Sequence, residues 1–416
     1  MADTSSHFLE GKKIIVAGDG VAGSAFVAAL SKLWDPTLTH PEIIVFDRDT
    51  REQSAKREGY SLSLEGSDKH GGLVALQNLG LIDEINRYSI FGLDSGRFKM
   101  WDRNWKEIVS VQPKPWGNLP AGSIRIARRD LRRIMVENAE KAKATFHLGC
   151  ACTSVERVDN GRIQVAVTDQ VGETSLHECD LLVAADGANS KIRAILRPND
   201  KLVYNGAIQM GGNGRFPNGL PSPLGENWGL ILSGQGVRCF FSAVDKERVV
   251  WAFSQREPER KQRVGGFSPD EMDALKREIL ERGHMFAEPF KTIVEATDPA
   301  SAFMIPCKDK QPIRHEESLE GVVFIGDANH TVSPFARAGA NLALKDGWDL
   351  AECLWKASSL KAAVAEYDSI SYPRAVATLK KSHQRIEMGH CTGIKYILLR
   401  LAGLVSGRLF MWLTGT

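Results

Sequence analysis

Gly18, Gly20 and Gly23 stand at G-x-G-x-x-G spacing between an apolar run at 14–17 and an alanine-rich stretch at 22–29. An acid, Asp47, closes the next apolar run, EIIVFD. Each glycine has its own physical reason. Gly18 allows the tight turn, Gly20 lets the backbone approach a pyrophosphate with no Cβ in the way, and Gly23 lets a helix pack close on the strand. The helix opening there turns its free N–H groups and positive dipole end toward phosphates. Asp47 is placed to accept hydrogen bonds from an adenosine ribose. Residues 12–47 are therefore expected to form a βαβ unit that holds a dinucleotide. That unit alone does not choose between NAD and FAD.

Two further apolar runs end in turns of the same kind: CDLLVAA at 179–185 runs into DGANS, and GVVFI at 321–325 runs into GDANH. In an open α/β sheet, ligands lie beyond the carboxyl ends of the strands. Three such tips imply a ligand longer than one nucleotide, laid across several strand ends.

The elements that must position these tips follow from pattern and length. A chain of 416 residues has room for two or three domains. With 53 basic against 51 acidic residues it shows no footprint for nucleic acid. Its seven cysteines have no CxxC and no zinc spacing, so no metal is expected and the compartment reads as reducing and cytoplasmic. The start MADTSSHFLEGKK lacks the apolar core of a signal peptide.

Leu62 and Leu64 alternate as in a short strand, and Leu73, Leu76, Leu79 and Leu81 mark a helix stopped near Gly80. A hairpin is expected over 96–109 with Arg103-Asn104 near its tip, within a small strand insertion near 90–125. A helix runs from Arg128 to about 144 with Leu131, Ile134 and Met135 inward, and short strands follow at 145–148, 154–158 and 163–168.

From about 202 to 312, segments such as GLILSG, VRCFFSAV and RVVWAFSQ alternate as antiparallel strands do, which argues for a second domain inserted into the first. The charges at 256–263 read as a solvated loop, followed by a helix at 269–282. A helix opens near Gly339, and 360–388 reads as helical but broken or kinked at Pro373. The expected division is 1–200 and 315–358 for the dinucleotide domain, 201–314 for the inserted sheet and 359–416 for C-terminal helices. The apolar tail is interrupted by Lys395, Arg400 and Arg408, so it is not expected to span a membrane. As a basic amphipathic helix it packs on its own protein or rests on a membrane surface or partner.

With the three tips in this order, and with REGYSLSLEG and IARRDLRRIM between them, the sequence resembles the FAD-dependent aromatic hydroxylases of the para-hydroxybenzoate hydroxylase type. The spacing is most similar to the branch of tetracycline-inactivating and fungal secondary-metabolite monooxygenases. The resemblance implies an α/β fold: a Rossmann-like FAD-binding domain with an inserted antiparallel-sheet substrate domain and C-terminal helices. Carried onto this chain, Gly18, Gly20, Val21, Ala22 and Gly23 would hold the FAD pyrophosphate, Asp47 the adenosine ribose, and Arg48 would lie beside the adenine. Arg128 would contact the flavin, Asp186 and Gly187 would serve FAD and the nicotinamide, and Asp327 would bond the ribityl chain. Gly339, Ala340 and Asn341 would face the flavin pyrimidine, where a helix N-terminus stabilises the charge left by reduction.

One position departs from the family pattern P-x-x-G-Q-G-x-N: Arg337 stands where the family has glycine. Its guanidinium either adds positive charge near the reduced flavin or points to solvent.

The implied reaction is reduction of FAD by NADPH or NADH, formation of a C4a-hydroperoxyflavin with O₂, and transfer of one oxygen to an aromatic or polyketide- or alkaloid-type small molecule. The substrate is expected between flavin and inserted sheet, near Gln209, Phe241, Trp251 and Phe253, with Phe240 and Trp228 as further candidates. No general base stands out, and His330 and His383 read as structural. A flavin halogenase should carry a WxWxIP segment, which is missing here; an oxidase or reductase of the same fold, or a non-catalytic FAD-binding protein, are the competing readings. The implied assembly is a monomer or homodimer.

Overall fold

The computed structural model describes residues 7–55, 60–92, 96–225 and 227–405. Arg408 and the first three residues of REGYSLSLEG lie outside the described residues.

A five-stranded parallel sheet forms the base, in the order Val322–Phe324, Leu181–Ala184, Lys13–Ala17, Glu42–Asp47, Ala144–Leu148. The first four are apolar on both sides because both faces are covered, while the edge strand Ala144–Leu148 alternates between half-buried and exposed. Helices Val21–Leu33 and Gly339–Lys356 lie on one face with Phe26, Leu30, Leu344 and Trp348 in the core. They touch closely at Gly347, where an added Cβ would lie 2.7 Å from the Ala22 carbonyl oxygen. The other face carries a three-stranded antiparallel sheet, Ala151–Arg157, Ile163–Thr168 and Thr174–Cys179, which buries Ile15, Phe46 and Val165.

The second body is an eight-stranded sheet in the order Arg263–Val264, Phe303–Asp309, Val203–Arg215, Arg248–Arg256, Val237–Ala243, Trp228–Leu232, Phe98–Asp102, Glu107–Val111. Its last two strands are the hairpin expected over 96–109, but they are no addition to the first domain. Phe98–Asp102 pairs in parallel with Trp228–Leu232 and extends the inserted sheet. Helices Pro269–Arg282 and Phe290–Glu295 cover the back of this sheet.

Two expectations are corrected here. The charges at 256–263 are not simply solvated: Arg260 pairs with Glu257 and Glu278 at 2.7 Å each, and Arg282 joins the same two acids at 2.8 Å. They pin this connection to the 269–282 helix. Pro373 does not break its helix, which runs uninterrupted as Leu360–Gly389. The next residue, Arg374, is held in buried ion pairs with Asp346 and Asp349, and those contacts anchor the helix across the proline.

Candidate cofactor and substrate site

The three strand tips lie side by side, since Val16 is in register with Val183, and Val183 with Val323. Gly18 has φ +109° and an added Cβ would lie 2.4 Å from the Ala185 oxygen, so the first two tips touch through a position only glycine fills. At Gly23 a Cβ would lie 2.0 Å from the Gly18 oxygen, so the helix opens against its own loop. Above Gly20 nothing lies within 4 Å of an added Cβ, which leaves that face of the loop open to a ligand.

Helices remote from the tips, at Pro269–Arg282 and Leu360–Gly389, are capped by Ser268 and Ser359. The helices Val21–Leu33 and Gly339–Lys356 begin at Gly20 and Ala338 with no side-chain cap. Their first amides, those of Val21, Ala22 and Gly23 and of Gly339, Ala340 and Asn341, are therefore donors left for something else.

Asp47 takes the Asp19 amide at 2.7 Å and the Asp49 amide at 2.8 Å, which aims its carboxylate at the glycine loop. Arg48, Asp49, Gln53 and Gln170 line a shallow hollow of about 630 Å³ next to it. Asp186 accepts the Lys191 amide at 2.8 Å through Oδ2, while Oδ1 is buried without a partner among the described residues. Burial pushes its carboxyl above the ordinary range. Gly187 follows at φ +82° with open space at its Cβ position. Asp327 is ringed by protein yet open to the slot, and an added Cβ on Gly339 would come 3.9 Å from its Oδ1. Burial raises its pKa, with His330 and Arg128 pulling the other way.

Asn341 offers a ligand its backbone only. Its side chain does not face a ligand: Oδ1 accepts from the Glu65 amide at 2.7 Å and the Gly72 amide at 3.1 Å, and Nδ2 donates to the Ser63 oxygen at 2.8 Å. It is a bracket that holds the helix opening to the strand Ser61–Glu65, and only its backbone is free for a ligand. His330 and His383 pair with Asp346 and Asp309, as expected of structural histidines.

Strand register decides which face each substrate candidate occupies, because residues directly opposite share a face. Met210, Phe253 and Cys239 form one row; Gln209, Ser254 and Arg238 form the next. The first row is in the back core with Phe241 and Trp251, under Met272, Ile279 and Phe290. Phe241, Trp251 and Phe253 are therefore corrected from pocket to core. All three are fully buried, and Trp251 Nε1 donates to Thr297 Oγ1 at 2.9 Å. Gln209 lies on the front face, as do Phe240 and Trp228. Phe335, in the turn Pro334–Ala336, packs on that face against Ala207 and Cys307, just ahead of the helix opening at Gly339.

Arg337 does not point to solvent. It adopts φ 55°, the left-handed conformation that suits the glycine the pattern calls for, and its Cζ lies 4.2 Å from the Phe98 centroid. Arg125, Arg238 and Arg385 lie nearby and were not singled out in the sequence. Arg238 was detectable as the one charge in an otherwise apolar strand.

These features fit FAD: an orphaned carboxylate oxygen at Asp186, an open cradle over Gly20 and two uncapped helix ends spaced along one slot. A slot of that length, roofed by a second sheet, defines a two-domain flavoprotein of the hydroxylase architecture. A family described as FAD binding domain matches residues 120–382. The chain is 43% identical over 394 residues to monooxygenase cfoF of Aspergillus candidus, across 94% of each chain. It shares its fold with Klebsiella pneumoniae HpxO complexed with FAD and uric acid, at TM-score 0.76, 20% identity and coverage of 99% and 97%. Tetracycline destructase Tet(51) follows at TM-score 0.67, 16% identity and coverage of 97% and 96%. The chain belongs to the FAD-binding-domain family and is an FAD-dependent monooxygenase acting on a small molecule.

Proposed function

We propose that the substrate is an aromatic or polyketide- or alkaloid-type molecule held between the helix opening at Gly339 and the front face of the large sheet. NADPH or NADH, bound transiently, is the reductant, and O₂ supplies the inserted atom. The observation that carries this reading is the front face of the large sheet, where Gln209 lies in a row with Ser254 and Arg238 and Phe335 of the turn before Gly339 packs on the same face; Ser254 itself is closed off by a hydrogen bond with His390 at 2.9 Å. Trp228 and Phe240 supply the aromatic walls on the same face.

In this reading the 18–23 loop holds the pyrophosphate, Asp47 the ribose, and Arg48 the adenine end. Arg128 meets the flavin, Asp186 and Gly187 the central slot, and Asp327 the ribityl chain. The amides of Gly339, Ala340 and Asn341 turn a positive helix end to the flavin pyrimidine. Bound FAD supplies electron transfer and oxygen activation; the chain binds it, orients the acceptor and excludes water.

The purified protein should be yellow, bleach rapidly with NADPH or NADH, and place one ¹⁸O from ¹⁸O₂ in its product. Turnover without label would instead make it an oxidase or reductase, and a folded colourless protein that takes up no FAD would end the reading.

No described helix is long and apolar enough to cross a membrane. Helix Gly393–Val405 packs on the strand Glu107–Val111, buries Leu399 in the cluster with Ile108 and Phe98, and exposes Ile394, Ile397, Leu398 and Leu401. That face supports peripheral contact with a membrane surface by a cytoplasmic monomer or homodimer, all of whose seven cysteines are free. Vesicle flotation and sedimentation of the full chain test both points.

A further inference from the structure

The 18–23 loop carries an acid that holding a phosphate does not call for. Asp19 stands between Gly18 and Gly20, on the turn where the reading above places the doubly negative pyrophosphate of FAD. Its side chain is not turned out to solvent. The residue is 1% exposed, and Ser24 Oγ, one turn into the helix Val21–Leu33, donates to its Oδ1 at 2.8 Å. The carboxyl is thereby folded against the opening of the helix whose free amides are the loop's means of holding an anion.

Charged groups reach this turn from the elements around it. Asp47, from the strand Glu42–Asp47, accepts the Asp19 amide at 2.7 Å and brings a second carboxylate to the loop. From the helix Arg128–Glu140, Arg132 donates to the Asp19 carbonyl oxygen at 3.4 Å, and Glu140, itself paired with Arg51, adds repulsion. On the neighbouring strand tip, the Asp186 amide nitrogen would lie 3.1 Å from a Cβ added to Gly18. Burial above all, and Asp47 after it, push the Asp19 carboxyl up to about 6 against the Ser24 hydrogen bond and Arg132. An ionised Asp19 and a bound pyrophosphate would set like charges on one short loop beside a low-dielectric wall. The pyrophosphate stays ionised across the neutral range, so the group that can give way is the acid.

We infer that Asp19 belongs to the cofactor site as a proton acceptor: the loop takes one proton from solvent onto this carboxyl when FAD binds, and the pyrophosphate meets a neutral side chain. FAD affinity is then highest where Asp19 is already protonated in the free protein. It falls as pH rises above that point, since each binding event must draw a proton from solution. The inference rests on the placement of the pyrophosphate on the 18–23 loop proposed above.

The test is FAD binding to the full chain freed of flavin, followed by fluorescence quenching from pH 5.5 to 7.5. Titration calorimetry at pH 7 in PIPES and in imidazole, whose heats of ionisation differ, counts the protons taken up. Wild type should bind FAD about tenfold more weakly at pH 7.5 than at pH 5.5, with about half a proton or more taken up per FAD. In Asp19→Asn the affinity should vary by less than about twofold over the range, and at pH 7.5 it should exceed that of wild type by about tenfold. Should Asp19→Asn fail to fold, Ser24→Ala carries the comparison, since loss of a hydrogen bond that favours the ionised acid moves the fall in affinity to higher pH. A slope and proton uptake unchanged in Asp19→Asn would belong to Asp186 or Asp327, the other raised acids of the slot, and overturn the inference. A wild type with neither slope nor uptake overturns it too. Gly20→Ala tells this apart from failure of the placement: if the methyl leaves FAD affinity intact at every pH, the pyrophosphate is not on this loop and both fall. If it weakens FAD throughout while wild type shows no slope, the inference alone falls.

Discussion

His330 Nε2 lies 2.5 Å from Asp346 Oδ2, and neither side chain is more than 2% exposed. The same carboxylate accepts from the Gly326 amide at 2.8 Å, Ser371 Oγ at 3.1 Å and Arg374 Nη2 at 2.8 Å. One buried acid thus ties the third strand tip to the two long helices behind it, and so sets where Asp327 stands relative to the helix opening at Gly339.

Burial alone would raise the Asp346 carboxyl, but attraction to His330 and Arg374 and the Gly326 amide hold it well below the ordinary carboxylate range. A depressed folded pKa contributes stability that is complete above the unfolded value, about 4, and is lost as pH falls toward the folded one. Asp346→Asn should cost about 3–5 kcal/mol at neutral pH, since it strands buried partners. The gap in Tm between wild type and variant should narrow below about pH 4; a gap independent of pH would refute the ionic account.

Asp19 has the opposite sign. Burial, with Asp47 adding repulsion, raises its carboxyl to about 6 despite a hydrogen bond from Ser24. A raised acid is protonated in the fold when the unfolded chain has already ionised, so stability falls as pH rises from about 4 to 6. Asp19→Asn should stabilise the protein by about 2 kcal/mol above that window and flatten the slope. Thermal melts across the range read both effects.

Gly20 and Gly23 should separate folding from cofactor binding. Gly23→Ala places a methyl 2.0 Å from the Gly18 oxygen and should disrupt the loop, with loss of Tm and of flavin together. Gly20→Ala meets nothing within 4 Å in the protein, so the apoprotein should melt within about 2 °C of wild type. Its FAD affinity should fall at least about tenfold, because the methyl stands where the phosphate approaches. Flavin release measured by fluorescence, next to apoprotein melting, decides this.

The two faces of the large sheet should respond differently. Phe241→Ala and Trp251→Ala leave cavities in the back core and should cost about 3–5 kcal/mol, with kcat/KM per bound flavin nearly unchanged. Gln209→Ala on the front face should change stability by less than about 1 kcal/mol and alter KM. If the core variants shift substrate preference and Gln209→Ala does not, the assignment of faces is wrong.

Much of this architecture was legible in local spacing. Gly18, Gly20 and Gly23, the buried runs before Asp186 and Asp327, and the helix opening at Gly339 are short-range patterns whose meaning is set by the backbone itself; they were enough to expect a dinucleotide unit and a long ligand across three strand tips, while FAD itself was implied by the family resemblance. Alternation likewise divided VRCFFSA into Arg238, Phe240 and Ser242 against Cys239 and Phe241. It could not say which set lies under helices, because that depends on what packs on each side, and so Phe241, Trp251 and Phe253 were misplaced. The parallel pairing of Phe98–Asp102 with Trp228–Leu232, the bracket made by Asn341 and the meeting of Arg125, Arg238, Arg337 and Arg385 were settled by tertiary structure alone. Each joins segments far apart in the chain, and spacing along the sequence carries no record of which distant groups share a dielectric environment.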